Sequence, residues 1–269
     1  MEIPKDLIVE KNYNDNQIKL VLNDQPEVIK KSISQNEVEP IKQINKSNST
    51  PIVNNKTNEV IEKENVEEEE KLKKVAFTFD DGPSIYTENL LEILKENNAS
   101  ATFFVIGSRI NKYGHIIEKI KNDGHQIESH GVSHKAFTKL SDEELIEELK
   151  TTKELLAKYD VIQTMVRPPY GSVNEKVKQN VNYPLIMWSI DTRDWEHRNS
   201  SEGTRIIIEN VEDGSIILMH DLYKSTVETV KEVLPILKEK GYEFVTVSDL
   251  FEDIELENGK VYYKKIKNK

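Results

Sequence analysis

The sequence is that of an acidic protein of 269 residues with a formal net charge of −11 and an isoelectric point near 5.2. This charge argues against nucleic acid as a partner, because nucleic acids favour clustered Lys and Arg. No apolar run approaches membrane-spanning length, and the absence of cysteine excludes disulfides and thiol chemistry.

The composition of the chain changes at Lys74. Every glycine, phenylalanine, tryptophan and histidine lies after this residue. Residues 1–43 contain two alternating stretches around Asn14–Asn16, a pattern that fits a hairpin of a small accessory unit or a poorly ordered segment. Residues 44–74 are rich in Asn, Lys, Glu and Ser, which predicts a flexible polar and acidic linker. The N-terminus shows no basic stretch followed by an apolar core, so we predict no signal peptide.

After the linker, short apolar runs alternate with amphipathic helical periods. Strands are predicted over seven segments: Val75–Phe79, Thr102–Ile106, Gln126–Ser129, Met165–Arg167, Leu185–Ile190, Ile216–Met219 and Phe244–Val247. Helices are predicted over Thr87–Asn97, Lys112–Asn122, Ser141–Tyr159 and Ser225–Lys240, the third opened by a capping box. This alternation predicts an α/β fold with a parallel sheet, closed into a barrel or left open.

Chemistry-bearing residues follow five of the seven predicted strands. They occur in the segments Asp80–Pro83, Ser129–His134, Arg167–Gly171, Asp191–Trp195 and Leu218–Asp221. Because functional residues of parallel α/β folds collect at the carboxyl ends of strands, we expect these segments to meet at one site. Two histidines four residues apart and one carboxylate can hold a metal ion and leave a position open for water. The set therefore indicates a metal hydrolase.

Five motifs in order, TFDDGP, HGVSH, RPPYG, DTRDW and LMH, resemble those of the polysaccharide deacetylases, the NodB-homology or family-four carbohydrate esterases. The resemblance spans Val75–Phe251. It implies a distorted (β/α) barrel of about seven parallel strands. We therefore expect a catalytic domain over residues 75–255 and a basic C-terminal tail over 256–269. The family's reaction is the removal of acetyl groups from N-acetylated sugars.

The resemblance also implies a single divalent metal ion and a catalytic base beside it. Asp81, His130 and His134 correspond to the metal ligands, and zinc is the expected ion, although cobalt, nickel or iron also suits these ligands. Asp80 corresponds to the base that takes a proton from water, and Arg167 to its ion-pair partner. The metal charge would let Asp80 and Asp81 stay ionised side by side.

A second group of residues corresponds to the family's general acid and acetyl pocket. His220 would protonate the departing amine, and Asp194 would orient His220 and raise its pKa. The backbone N–H of Tyr170 would help to stabilise the oxyanion. Trp195 and Leu218 would wall the pocket for the acetyl methyl group.

Gly131 departs from the family pattern, which usually has Ser or Thr directly after the first histidine of the second motif. The missing hydroxyl would normally stiffen the ligand loop through a hydrogen bond. The departure removes no metal ligand.

The expected substrate is an N-acetylated glycan, with the GlcNAc or MurNAc residues of bacterial peptidoglycan as the first choice. Chitin oligomers, poly-N-acetylglucosamine and O-acetylated xylan are alternatives within the same chemistry. A non-catalytic carbohydrate-binding module is disfavoured because every polar group of the site is present, and a cytoplasmic hydrolase of small cyclic amides because the motifs are those of polymer-acting enzymes. A wall substrate requires export, so we expect an extracellular or wall-associated monomer.

Overall fold

The computed structural model of the protein describes residues 7–12, 17–22 and 72–266. The chain divides into two units, Met1–Asn65 and Val66–Lys269. Most of the expected accessory segment and all but the last three residues of the expected linker lie outside the described residues.

The first unit contains an antiparallel pair of strands. β1 (Leu7–Asn12) pairs with β2 (Gln17–Leu22), so that Leu7 lies opposite Leu22 and Asn12 opposite Gln17. These backbone pairings match a hairpin around the polar stretch that the sequence places between the two strands.

The second unit alternates strands and helices. Its strands are β3 (Lys73–Asp80), β4 (Ala101–Val105), β5 (Gln126–Ser129), β6 (Leu185–Ile186), β7 (Ile190–Asp191), β8 (Ile216–His220), β9 (Tyr242–Phe244) and β10 (Val261–Tyr262). Its α-helices are α1 (Thr87–Glu96), α2 (Gly107–Ile110), α3 (Gly114–Asn122), α4 (Asp142–Ala157), α5 (Glu175–Asn180), α6 (Asp194–His197), α7 (Ser200–Asn210), α8 (Lys224–Glu239) and α9 (Val247–Leu250). In the part of the chain that the structure describes, no helix is long and apolar enough to cross a membrane.

A parallel sheet built around β3 forms the centre of the second unit. Its strands follow the order β5-β4-β3-β8-β7, and β9 pairs with the beginning of β3. β3 is buried without interruption from Val75 to Asp80, as expected for a parallel strand that is covered on both faces. The predicted α/β fold with a parallel sheet is confirmed.

The strand pairing continues around a ring beyond β5. Ser129, at the end of β5, forms a parallel bridge with Val166, which in turn bridges Leu185 of β6. The same segment continues into β7, which pairs with β8. The ring matches the expected distorted barrel, and the distortion lies where Val166, β6 and β7 contribute only one or two paired residues each.

Three predicted strands differ from the observed ones. Met165–Arg167 is a single bridge at Val166. Leu185–Ile190 is split, because Met187 N donates to the carbonyl of Tyr262 whereas Ser189 N donates to that of Ile216, so the segment changes partner in mid-course.

The last predicted strand, Phe244–Val247, is placed too far along the chain. β9 ends at Phe244, and α9 begins at Val247 because Thr246 and Asp249 form a capping box. The capping box predicted at Ser141 is confirmed, with Glu144 N donating to Ser141 Oγ over 3.2 Å.

The C-terminal residues expected to form a basic tail are part of the fold as far as residue 266. β10 pairs with β6, and Lys265 N donates to the carbonyl of Gly214 over 2.9 Å. Because this segment has a mixed charged and aromatic composition, the sequence does not predict that it forms an edge strand.

Phe77 lies at the centre of the core between the sheet and α1, α3 and α8. Its side chain is fully buried and its ring meets that of Phe244 edge-on, with centroids 5.4 Å apart. We expect Phe77→Ala to lower the free energy of unfolding by about 3–5 kcal/mol, because it leaves a cavity in a tightly packed core. Urea denaturation followed by circular dichroism measures this change.

Ile162→Ala is the control, because Ile162 is 82% exposed and its truncation should change stability by no more than about 0.5 kcal/mol. Equal changes for the two variants would contradict the assignment of the core.

Candidate active site

The last residue of β3 and the first after it bring two carboxylates to the same point. Asp80 is in register with His220 of β8, and Asp81 adopts a left-handed conformation with φ of 70°. Asp tolerates this conformation, so the chain can turn sharply at the strand end. Asp80 Oδ2 and Asp81 Oδ1 consequently lie 3.6 Å and 3.5 Å from Nε2 of His130.

Asp81, His130 and His134 form a cluster that fits a divalent metal ion. One donor atom from each lies within 4.8 Å of the others, and Asp81 Oδ1 is 3.1 Å from His134 Nε2. Asp81 Oδ1 is buried and accepts no hydrogen bond from any described residue. A buried carboxylate oxygen needs a partner. A cation bound at the cluster would be that partner for Asp81 Oδ1.

His130 is held in the state that a metal ligand requires. Its Nδ1 lies 2.6 Å from the carbonyl oxygen of Arg167, so this nitrogen carries the proton and donates it, leaving the Nε2 lone pair toward the cluster. Burial lowers the pKa of His130 to about 3. The imidazole is therefore neutral at physiological pH, as metal binding demands.

Asp80 and Arg167 form a buried ion pair. Arg167 is fully buried and its Nη1 donates to Asp80 Oδ1 over 2.7 Å. The other donors of the guanidinium bind Thr78 Oγ1 and the carbonyls of Ile186 and Met187. Burial raises the pKa of Asp80, and the charge of Arg167 opposes that rise. Since a buried charge is tolerated only when it is paired and hydrogen-bonded, the network fixes the carboxylate in place.

His220 and Asp194 form a second pair. His220 Nδ1 lies 2.7 Å from Asp194 Oδ1, while Asp194 Oδ2 accepts hydrogen bonds from the backbone N–H of His220 and from Thr226 Oγ1. Burial alone lowers the pKa of His220, but the hydrogen bond with Asp194 and the charges of Asp194, Asp80 and Asp81 outweigh it and raise the pKa to about 9. The imidazole is thus protonated at neutral pH.

The three residues expected at the substrate pocket lie in different surroundings. Tyr170 is 70% exposed, and its ring centroid is 4.5 Å from that of the metal-cluster residue His134. Trp195 is half exposed and its backbone N–H donates to Asp194 Oδ1. Leu218 is buried in β8 on the same face as His220, because residues two apart share a face. Tyr170 therefore borders the metal cluster, whereas Trp195 and Leu218 belong to the His220 side.

The loop between the two cluster histidines is held by a carboxylate from α4. Glu148 Oε2 accepts the backbone N–H groups of Val132 and Ser133 over 2.6 Å and 2.9 Å, and Oε1 accepts the Ser133 hydroxyl. Gly131 has φ of 75°, and a Cβ added there would lie 3.0 Å from Glu148 Oε2. The glycine that departs from the family pattern thus makes room for a carboxylate that stiffens the same loop.

Four supporting residues were not assigned a role from the sequence: Thr78, Glu148, Asp221 and Thr226. Asp221 is fully buried beside Gly82, where an added Cβ would lie 2.2 Å from Asp221 Oδ1. Burial raises the pKa of Asp221 to about 7, and Thr87 Oγ1 donates to its carboxyl group. Thr78 lies within the first recognised motif and Asp221 directly follows the last, so their positions were a usable signal. Nothing in the sequence around Glu148 and Thr226 marks them.

A family model described as polysaccharide deacetylase matches residues 67–184. The solved structure of T48 deacetylase with substrate is 40% identical in sequence and superposes with a TM-score of 0.70. The match covers 71% of this chain and 96% of the T48 chain. The chain belongs to the polysaccharide deacetylase family. The predicted family resemblance is therefore confirmed.

Two further family members are curated bacterial proteins. Peptidoglycan-N-acetylglucosamine deacetylase PgdA of Listeria monocytogenes is 40% identical over 72% of this chain and 42% of its own length. Peptidoglycan-N-acetylmuramic acid deacetylase PdaC of Bacillus subtilis is 35% identical over 67% of this chain and 39% of its own length. The chain matches about two fifths of the length of these two relatives.

We expect Glu148→Ala to weaken zinc binding by about tenfold or more, because it leaves the N–H groups of Val132 and Ser133 without their acceptor and loosens the loop between two ligands. Competition with a chromophoric chelator measures the affinity. Glu147→Ala is the matched control, since this side chain is 67% exposed on the same helix. Equal affinities of Glu148→Ala and wild type would contradict a role of Glu148 in the metal site.

We expect Asp194→Asn to lower the pKa of His220 from about 9, because the hydrogen bond and the charge that oppose burial most strongly are lost while only Asp80 and Asp81 still raise it. NMR titration of the His220 ring in metal-free protein measures the shift. Asp191→Asn, three residues earlier in the same motif, should leave the titration unchanged. A His220 pKa that stays near 9 in Asp194→Asn would refute the coupling.

Proposed function

We propose that this chain is a metal-dependent hydrolase that removes N-acetyl groups from GlcNAc or MurNAc residues of bacterial peptidoglycan. One observation carries the proposal: an arginine-paired carboxylate, Asp80, and a protonated imidazole, His220, lie next to a cluster that fits a metal ion. Amide hydrolysis needs this combination of base and acid. The names of the two bacterial relatives, both peptidoglycan deacetylases, support the choice of polymer.

The metal ion is assigned to Asp81, His130 and His134. Two imidazole nitrogens and one carboxylate oxygen are donors that suit zinc, and also cobalt, nickel or iron. When bound, the ion would supply Lewis-acid polarisation of the acetyl carbonyl and would lower the pKa of water.

Asp80 acts as the general base in this proposal. Its carboxylate accepts the proton that the attacking water loses, while Arg167 favours the ionised form and fixes its direction. The backbone N–H of Tyr170 donates a hydrogen bond to the carbonyl oxygen as negative charge develops there. The left-handed conformation of Tyr170, with φ of 60°, turns the backbone beside His134.

His220 acts as the general acid. The bond between the carbonyl carbon and nitrogen breaks while His220 gives its proton to that nitrogen, so acetate and a free amine leave. This proton is needed because an amide anion is a very poor leaving group. Asp194 acts through His220 by holding the imidazolium in place. Trp195 and Leu218 wall the acetyl pocket on this side.

The substrate determines where the protein works. We propose an extracellular or wall-associated monomer that binds an N-acetylated glycan and no nucleic acid. In this proposal the catalytic domain begins with β3 and includes β10, which extends it beyond the expected residues 75–255, while residues 44–72 form a linker and residues 1–43 an accessory segment. The net charge of −11 supports the absence of a nucleic-acid partner.

We expect zinc-loaded protein to remove acetyl groups from solubilised peptidoglycan fragments, and Asp80→Asn to be slower by about 100-fold or more, because the base is lost. Mass spectrometry of the products measures deacetylation, and fragmentation identifies the sugar. Asp160→Asn is the control, since this carboxylate is exposed and, among the described residues, is paired with Lys121 alone, over 3.7 Å.

Chitin oligomers, acetylated xylan and small cyclic amides complete the substrate panel. If acetate is released only from xylan or only from chitin, that polymer and not peptidoglycan is the substrate. Absence of acetate from every glycan, with the metal bound, would reject the enzyme and favour a carbohydrate-binding module or a hydrolase of small amides.

A further inference from the structure

A cleft beside the proposed general acid has no role in the mechanism above. It has a volume of about 350 Å³ and is lined mainly by Tyr86, Arg198, Tyr223, Lys224, Ser225 and Glu228. The ring of Tyr223 lies 6.2 Å from that of His220, measured between centroids. The cleft therefore opens next to the position that the departing amine occupies in the proposed reaction.

Arg198 gives this cleft an uncompensated positive charge. Lys224 is paired with Glu228 over 2.9 Å, so these two charges cancel. Among the residues that the structure describes, no carboxylate lies within ion-pair distance of Arg198. An unpaired arginine at a cleft of a protein with net charge −11 is the group to which an anion would be drawn.

The guanidinium of Arg198 is already held in place. It lies 3.6 Å above the ring of Tyr223, and its Nε donates to the carbonyl of Trp195 over 3.0 Å. Neither terminal nitrogen donates to an acceptor within the described part of the chain. A pre-positioned fork of free N–H donors loses little entropy on binding and matches the geometry of a carboxylate.

Ser225 adds a second free donor to the cleft. Its Oγ is buried and has no hydrogen-bond partner in the described ranges. A buried hydroxyl without a partner is costly, and rotation of this side chain toward the cleft would let an anion there accept from it and remove that cost. The rings of Tyr86 and Tyr223 line the same cleft and offer apolar surface to the body of a sugar or peptide.

We infer that this cleft binds a carboxylate-bearing substituent of the glycan, next to the sugar whose amide is cleaved. This inference rests on the proposed function, because His220 defines the side of the departing amine. Peptidoglycan carries such groups, either the lactyl carboxylate of a muramic sugar without peptide or the carboxylates of its peptide stem. Chitin carries none, so Arg198 favours peptidoglycan over chitin.

The test compares Arg198→Gln with wild type on three substrates: a neutral N-acetylglucosamine tetramer, peptide-free glycan strands and strands that keep their peptide stems. We expect the KM for a carboxylate-bearing substrate, relative to that for the neutral tetramer, to rise about tenfold, because charge-assisted hydrogen bonds are lost. The substrate that shows the rise identifies the lactyl or the peptide carboxylate. Arg205→Gln is the matched control, since Arg205 is paired with Glu202 and Glu209 on α7.

Calorimetric titration of the same glycans measures binding without turnover and separates the two proposals. If wild type releases no acetate but binds carboxylate-bearing strands more tightly than Arg198→Gln does, the proposed deacetylation is rejected and the proposed carboxylate site is supported. If Arg198→Gln changes the KM and the affinity equally for neutral and carboxylate-bearing glycans, or changes neither, the carboxylate site is rejected even when deacetylation is observed.

Discussion

The buried contact between Arg167 and Asp80 is the constraint on which the rest of the site depends. A guanidinium with no access to solvent must find a carboxylate and enough acceptors for its remaining N–H groups. Arg167 does so with Asp80, Thr78 and two backbone carbonyls, and its own carbonyl oxygen accepts the proton of His130 Nδ1. One residue therefore fixes the carboxylate next to the cluster of Asp81, His130 and His134, and it also decides which nitrogen of His130 faces that cluster.

The same contact joins the site to the closure of the barrel. The two backbone carbonyls that Arg167 binds belong to Ile186 and Met187. At this point the segment stops pairing with β10 and begins to pair with β8. Strands that pair over only one or two residues supply little hydrogen bonding of their own. The arginine compensates by tying the β3 end of the sheet to the irregular side of the ring, so the geometry of the site and the closure of the fold are parts of one network.

The residues of the candidate site were easier to predict from the sequence than the residues that hold them in place. Asp80, Asp81, His130 and His134 could be located because they follow strands whose apolar pattern is strong, and parallel strands end at one edge. Glu148 could not be found in this way, since the helical pattern of α4 does not show which loop an acidic residue on its surface meets. The division of Leu185–Ile190 into β6 and β7 could not be predicted either, because an apolar run indicates burial but does not indicate a change of hydrogen-bonding partner.

Gly131 and Glu148 restrict how the sequence can change over evolution. A side chain at position 131 would crowd its neighbours, since a Cβ on Gly131 would lie 3.0 Å from Glu148 Oε2 and 3.1 Å from the ring of Phe137. A serine or threonine at position 131 therefore requires the Glu148 carboxylate and the Phe137 ring to shift by a few tenths of an ångström, and it must also adopt a left-handed backbone conformation. A change at position 131 therefore calls for an adjustment at positions 148 and 137, whereas a change at position 148 alone removes the acceptor that holds the loop.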